Sequence, residues 1–289
     1  MWVSNNWQDY EVIDTGNGEK LERFGKYTFI RPDPQIIWPG KFEPALWKNV
    51  NARYERSKKG GGEWQYIKGN LPEKWTVSYK DLKFIIKPTG FKHMGIFPEQ
   101  AANWDFITEK IQNSGREIKI LNLFGYTGGA TVAALKAGAS VCHVDASKGI
   151  MTWCRENVEL NSLSGNKIRY IVDDAVKFAG REIKRGNRYD AVIMDPPSYG
   201  RGPGGEIWTM EDKIYSLAEL LVNVLSDNPL FFLINSYTTG LAPSVVKNIL
   251  AMTVGKKFGG VVYSDELGLL IGKTGYVLPC GAAARWENE

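Results

Sequence analysis

A chain of 289 residues, 43% hydrophobic and 24% charged, has the composition of an ordinary globular protein and length enough for one large domain plus a smaller one. The net charge of +4 is too mild to name a partner, no apolar run approaches the ~18 residues of a membrane span, and residues 1–7 lack the basic start and apolar core of a secretory signal, so a cytoplasmic location is expected. Three cysteines without metal-type spacing (Cys142, Cys154, Cys280) and two histidines (His93, His143) point to free thiols and away from a metal centre.

Residues 1–88 read as a small β-rich domain. Candidate strands at 11–14 and 26–30 flank a turn at Gly16-Asn17-Gly18. Four prolines between Pro32 and Pro44 rule out a regular element there, and Lys58-Lys59-Gly60-Gly61-Gly62 has the composition of a loop tip. Segments 75–79 and 82–87, joined at Lys80-Asp81, form a hairpin. Residues 1–90 hold fifteen Lys and Arg against eleven Asp and Glu, so the whole positive excess sits here. Six of the ten tryptophans do too: Trp2, Trp7, Trp38, Trp47, Trp64 and Trp75. Such a mixture suits a surface that stacks bases and touches phosphates. The competing reading is that large aromatics fill a thin core.

Residues 89–289 alternate between strands and helices. A helix at 98–112 starts on Pro98, followed by a strand at 118–124, a helix at 130–137 and a strand at 140–144. Ser147 is the expected N-cap of a helix to 160. A strand at 168–172, a helix from Asp173-Asp174 to 184 and a strand at 189–194 come next. The loop 196–207 carries four glycines, and its stretch from Gly200 to Gly205, with Arg201 as a basic tip, is a candidate lid or else a passive connection. A helix at 209–225, a strand at 230–235 and a helix at 243–252 follow, and segments 260–264 and 275–279 complete the sheet. This rhythm predicts a Rossmann-like α/β fold, a parallel sheet with helices on both faces.

The strand at 118–124 ends on Gly125-Tyr126-Thr127-Gly128-Gly129, and the next strand ends on Asp145. A flexible first turn with an acid at the tip of the second strand binds a nucleotide-like cofactor through its ribose. Glycine is expected in that turn because backbone must approach the ligand with no Cβ between them. G-x-x-G-G fits the dinucleotide fingerprint poorly. The later Asp195-Pro196-Pro197-Ser198-Tyr199 resembles motif IV of class I methyltransferases.

Residues 91–237 as a whole resemble bacterial class I methyltransferases related to the large-subunit ribosomal RNA methyltransferases. Phe91-Lys92-His93-Met94-Gly95-Ile96-Phe97-Pro98-Glu99-Gln100 is similar to the segment before their first strand. Leu121-Asn122-Leu123-Phe124-Gly125-Tyr126-Thr127-Gly128 resembles motif I, Asp145-Ala146-Ser147 motif II and Asp173-Asp174-Ala175 motif III. The resemblance implies S-adenosylmethionine as cofactor: Asp145 on the ribose, Asp174 on the adenine amino group with Asp173 as the alternative, Tyr126 and Thr127 at the carboxylate, and Lys92 or Gln100 at the methionine tail. It also implies that Asp195 accepts from the target or the methionine amino group. Pro196 and Pro197 then aim a backbone carbonyl, and Tyr199 either stacks on a flipped base or packs in the core. Relatives that methylate cytosine C5 carry a cysteine after the fifth strand; here Ile234-Asn235-Ser236-Tyr237 has no thiol, which favours direct transfer to a nitrogen or oxygen. RNA, ribosomal above all, is the favoured substrate. Alternatives are a protein or small-molecule substrate, a nicotinamide-dependent oxidoreductase on the same fold, and a non-catalytic RNA-binding relative.

Overall fold

The computed structural model describes residues 1–57, 61–90, 92–201 and 207–288. Expectations placed on 58–60, on Phe91, on the side chain of Arg201 and on a lid at 202–205 lie outside the described residues. The chain forms two compact units, one of Trp2–Ala102 with Gly268–Cys280, the other of Met1, Asn103–Leu267 and Gly281–Glu289. The division expected at 88 therefore falls at Ala102, because Ser4 and Trp7 hold the intervening segment. The Ser4 hydroxyl donates to Glu99 O at 2.7 Å and accepts from the Ala102 N–H at 3.0 Å, and the Trp7 indole donates to Pro98 O at 3.0 Å. The late segment joins this unit through a bridge between Ile271 and Val12 and a hydrogen bond from the Gly272 N–H to Val12 O at 2.8 Å.

In the N-terminal unit, β1 (Trp2–Val3) precedes β2 (Tyr10–Gly16), β3 (Glu19–Phe24), β4 (Tyr27–Pro32), β5 (Ala52–Arg56) and β6 (Gly62–Tyr66). Strands β2 to β6 form one sheet in that order, while β7 (Trp75–Tyr79) and β8 (Leu82–Ile86) form the expected hairpin. Sequence reading missed β3, β5 and β6, whose charged residues mask the alternation. Aromatics fill the core: Phe29 stacks on Trp75 at 5.7 Å and meets Trp64 edge-on at 5.7 Å. Trp47 is buried and the other five of these tryptophans are half-buried, which favours the core reading.

Within that core lies a charge pair. Glu22 is fully buried, bound by the Arg31 Nε and Nη2 groups and by the Tyr10 hydroxyl at 2.9 Å. Burial pushes the Glu22 carboxyl up, but the Arg31 and Lys20 cations outweigh it and hold it below the usual range. Glu22→Gln strands a buried guanidinium and is expected to cost about 3–5 kcal/mol of this unit's stability in urea titrations. A Glu22→Gln/Arg31→Met double variant should lose less, since neither charge then stands alone; equal losses would refute the pairing.

The second unit contains α1 (Ala101–Asn113) from Asn103 onward, β9 (Lys119–Leu123), α2 (Gly129–Lys136), β10 (Ser140–Asp145), α3 (Lys148–Leu160), β11 (Ile168–Val172), α4 (Ala175–Lys184) and β12 (Ala191–Met194). A short hairpin of β13 (Tyr199–Arg201) and β14 (Ile207–Thr209) leads to α5 (Met210–Leu221), β15 (Phe231–Ser236), α6 (Pro243–Leu250), β16 (Val261–Leu270), which belongs to this unit up to Leu267, and β17 (Val277–Glu287), which belongs to it from Gly281. Along the sheet the order runs β16-β17-β15-β12-β9-β10-β11. Strands β15, β12, β9, β10 and β11 pair in parallel, as expected for apolar runs linked by helices. The expected all-parallel sheet is corrected at β17, which runs antiparallel to β15 because it returns from β16 by a direct turn with no crossover helix. Leu121, Leu123, Val192, Met194, Phe232 and Ile234 bury one face against Phe178, Ile214 and Leu217. The other face takes α1, where Phe106 meets Phe231 edge-on at 5.4 Å. Among the described residues no helix is long and apolar enough to cross a membrane, and no group of His, Cys, Asp and Glu could hold a metal.

Candidate functional site

Parallel pairing brings five strand ends to one edge. Leu123 lies beside both Val144 and Met194, Met194 beside Ile234, and Asp145 beside Val172. The residues at or just past these ends are Phe124, Asp145, Asp173-Asp174, Asp195 and Asn235-Ser236, and the carboxyl edge of such a sheet is where ligands bind.

The turn after β9 is bent at non-glycine positions, with φ of 56° at Phe124 and 51° at Tyr126, and Gly128 at 89° starts α2. Left-handed backbone at two bulky residues is strained, and Asp145 helps to fix it. One oxygen of its carboxylate accepts from the Tyr126 N–H at 3.0 Å, the other from the Ser147 N–H at 2.9 Å. Each oxygen keeps a further lone pair, so two hydroxyls can still donate to it. Burial raises the Asp145 carboxyl, partly opposed by those two N–H groups.

The glycines of this turn serve a purpose the sequence did not reveal. A Cβ on Gly125 would lie 2.3 Å from Cε1 of His143, one on Gly128 2.6 Å from Sγ of Cys154, and one on Gly129 2.8 Å from the Trp104 ring. The expectation that they clear space for a ligand is therefore corrected: their bare faces rest on the protein's own side chains. His143 is locked in that floor. Asn122 Nδ2 donates to the Thr131 hydroxyl at 2.9 Å, and that hydroxyl is hydrogen-bonded to His143 Nδ1 at 2.8 Å. Burial lowers the imidazole to about 4, against a smaller upward pull from the Tyr126 backbone, so it is neutral at neutral pH. Thr127 is buried, and its carbonyl accepts from Asn157 Nδ2 at 2.9 Å.

Ser147 caps α3 as expected, accepting from the Ile150 N–H at 3.3 Å, and Ala146 beside it is exposed. Asp173 is consumed locally, by the Asp174 N–H at 2.8 Å and by Arg181. Asp174 caps α4 with one oxygen, accepting from the Lys177 N–H at 2.8 Å. Ala175 packs into the core.

Past β12, Asp195 is half-buried, Pro196 buried and Pro197 exposed. The Trp208 indole donates to Pro197 O at 2.7 Å and lies against the Phe124 ring at 5.3 Å, so this carbonyl already has a donor. Tyr199 is 55% exposed on β13, which excludes the core-packing alternative. Gln100 is buried on the Pro98–Gln100 turn of the N-terminal unit, as is much of Lys92, whose carbonyl accepts from Arg31 at 2.7 Å. His93, in the same unit, is lowered to about 4 by burial and by the nearby cations of Arg31, Lys92 and Lys20. Sequence reasoning missed Trp208, which carried no signal. It also passed over Asn235 as a contact, although a polar residue closing an apolar strand was a visible cue.

A family model described as S-adenosylmethionine-dependent methyltransferase matches residues 48–241. A solved S-adenosylmethionine-dependent methyltransferase from Agrobacterium tumefaciens is 37% identical, with a TM-score of 0.94 over 99% of this chain and 93% of that one. The ribosomal RNA large subunit methyltransferase K/L of Shewanella sp. (strain MR-4) is 29% identical over 182 residues, covering 62% of this chain and 25% of that protein. The ribosomal RNA large subunit methyltransferase I of Salmonella arizonae is 31% identical over 135 residues, covering 46% of this chain and 32% of that protein. The chain thus spans about a quarter to a third of the length of these curated relatives.

Proposed function

The chain belongs to the S-adenosylmethionine-dependent methyltransferase family, and from that premise we propose that it methylates a base nitrogen or oxygen of RNA, ribosomal RNA above all, without a cysteine nucleophile. Family membership sets aside the nicotinamide alternative. The cofactor supplies an electrophilic methyl group on a sulfonium. The residues at the sheet edge fit such a ligand: the spare lone pairs of Asp145 suit a ribose diol, and the free arm of Asp174 suits an adenine amino group. Backbone of Phe124 to Gly128 with Tyr126 and Thr127 suits the amino-acid tail.

The observation that carries the direct-transfer reading is the pair of strand ends at Asp195 and Asn235-Ser236, where an acceptor and an amide stand and no thiol does. Cys142 and Cys154 are buried, and burial pushes both thiols up, Cys154 to about 12. Burial also pushes the Cys280 thiol up, and its Sγ donates to Leu278 O at 3.4 Å. With Pro197 O held by Trp208, the Pro196 carbonyl and Asp195 are the acceptors that orient the target, and exposed Tyr199 supplies a face for stacking. Alignment of a lone pair with the breaking bond then does most of the work. The N-terminal unit, with the net positive charge, is the proposed RNA-contacting part.

The test is methyl incorporation from labelled S-adenosylmethionine into ribosomal RNA from cells lacking the gene, followed by mass spectrometry of the nucleosides. One new methylated nucleoside is expected. Label appearing only in protein or small molecules, or in a 5-methylcytosine, would overturn the proposal.

A further inference from the structure

A buried chain of hydrogen bonds runs from the middle of the sheet to the end of β15. Arg285 Nε and Nη2 both donate to Asn103 Oδ1, at 3.0 and 2.6 Å. Asn103 Nδ2 donates in turn to Asn235 Oδ1 at 2.8 Å. All three side chains are at least nine-tenths buried, and all belong to one unit. Burial lowers Arg285 to about 10, against upward pulls from Glu287 and Glu109, so it remains a cation at neutral pH.

The order of donors and acceptors has one solution. A guanidinium can only donate, so the Asn103 oxygen must face Arg285 and its NH2 must face Asn235. Asn235 is then obliged to use its oxygen inward, and the arm left over is Nδ2, a donor. Because Met194 and Ile234 are register partners on parallel strands, Asp195 and Asn235 follow them at adjacent positions of the carboxyl edge. An obligate acceptor and an obligate donor therefore stand side by side where the target enters.

We propose that Asn235 is a target-contacting residue that donates through Nδ2 to a ring nitrogen or carbonyl of the base, next to the N–H that Asp195 accepts. Asn103 and Arg285 are positioning residues that hold its amide in that sense. The ligand edge this pair reads is an N–H flanked by an acceptor, the pattern of a nucleobase Watson–Crick edge. The inference deepens the RNA reading and rests on it.

The discriminating variant is Asn103→Asp. It keeps the size and gives Arg285 a carboxylate, so folding should be unharmed and the melting temperature raised. It also removes the donor facing Asn235, whose amide must turn over and present Oδ1 to the target beside Asp195. Transfer to ribosomal RNA should fall on the order of tenfold in kcat/KM, with S-adenosylhomocysteine affinity within twofold of wild type. Asn235→Ala should fall similarly with the same retained affinity. If Asn103→Asp is more stable and equally active, the chain is merely structural and the inference fails. Loss of S-adenosylhomocysteine binding in step with activity also defeats it. Wild-type protein that transfers nothing to RNA would instead overturn the RNA reading, and the inference with it.

Discussion

Asp195→Ala is expected to lower methyl transfer to RNA by on the order of 100-fold or more while leaving S-adenosylhomocysteine affinity within a few-fold. Asp195 stands immediately after β12, its backbone N–H donating to Leu123 O at 3.4 Å, between the ends of β9 and β15. Pro196 follows it with a fixed φ, and Trp208 removes the Pro197 carbonyl from competition. The backbone that carries Asp195 is thus braced from both sides, and deleting its side chain removes an acceptor. Asp195→Asn retains one acceptor oxygen and should fall between wild type and alanine. Single-turnover assays with saturating cofactor measure the effect. An alanine variant that transfers methyl groups at the wild-type rate would remove Asp195 from the reaction.

The second large effect is expected from a single methyl group. Gly125→Ala places a Cβ against Cε1, Nδ1 and Nε2 of His143 at 2.3, 2.6 and 2.9 Å. The ring cannot retreat, being fully buried and bonded to Thr131, so the turn after β9 must rise instead. Overpacking of this kind costs about 1–3 kcal/mol. The lifted turn also loses the Tyr126 N–H bond to Asp145, so S-adenosylhomocysteine affinity should drop at least tenfold by calorimetry. Truncating the floor in the same chain, Gly125→Ala with His143→Ala, should restore part of that affinity. Wild-type affinity in the single variant, or a drop that the second substitution does not relieve, would show that the turn does not rest on the imidazole.

Much of the second unit was legible because its strands are apolar runs separated by helix formers: the strand expected at 168–172 has those bounds, and Ser147 caps its helix as expected. Asp145 was legible for the same reason, an acid at the end of an apolar strand. In the N-terminal unit the periodicity failed where a charge faces inward. Glu22 sits at a core position of β3, and a pattern of apolar residues cannot register a carboxylate satisfied by an arginine nine residues away. The floor beneath the turn was hidden for a different reason. His143 and Cys154 lie 18 and 26 residues beyond the glycines they meet, on a strand and a helix, and only tertiary packing joins them. The Trp208 contact with Pro197 likewise spans a hairpin whose strands are three residues each.

The return of Gly268–Cys280 to the N-terminal unit has a practical corollary for dissecting the molecule. Cutting the gene after codon 102 would yield a fragment missing the partner of Val12 and the carbonyl that receives the Ser4 N–H, leaving a raw edge prone to sticking to its neighbours. The complementary fragment would dangle a thirteen-residue insert stripped of its companions. A separable version calls for circular permutation or a grafted loop, not a simple truncation.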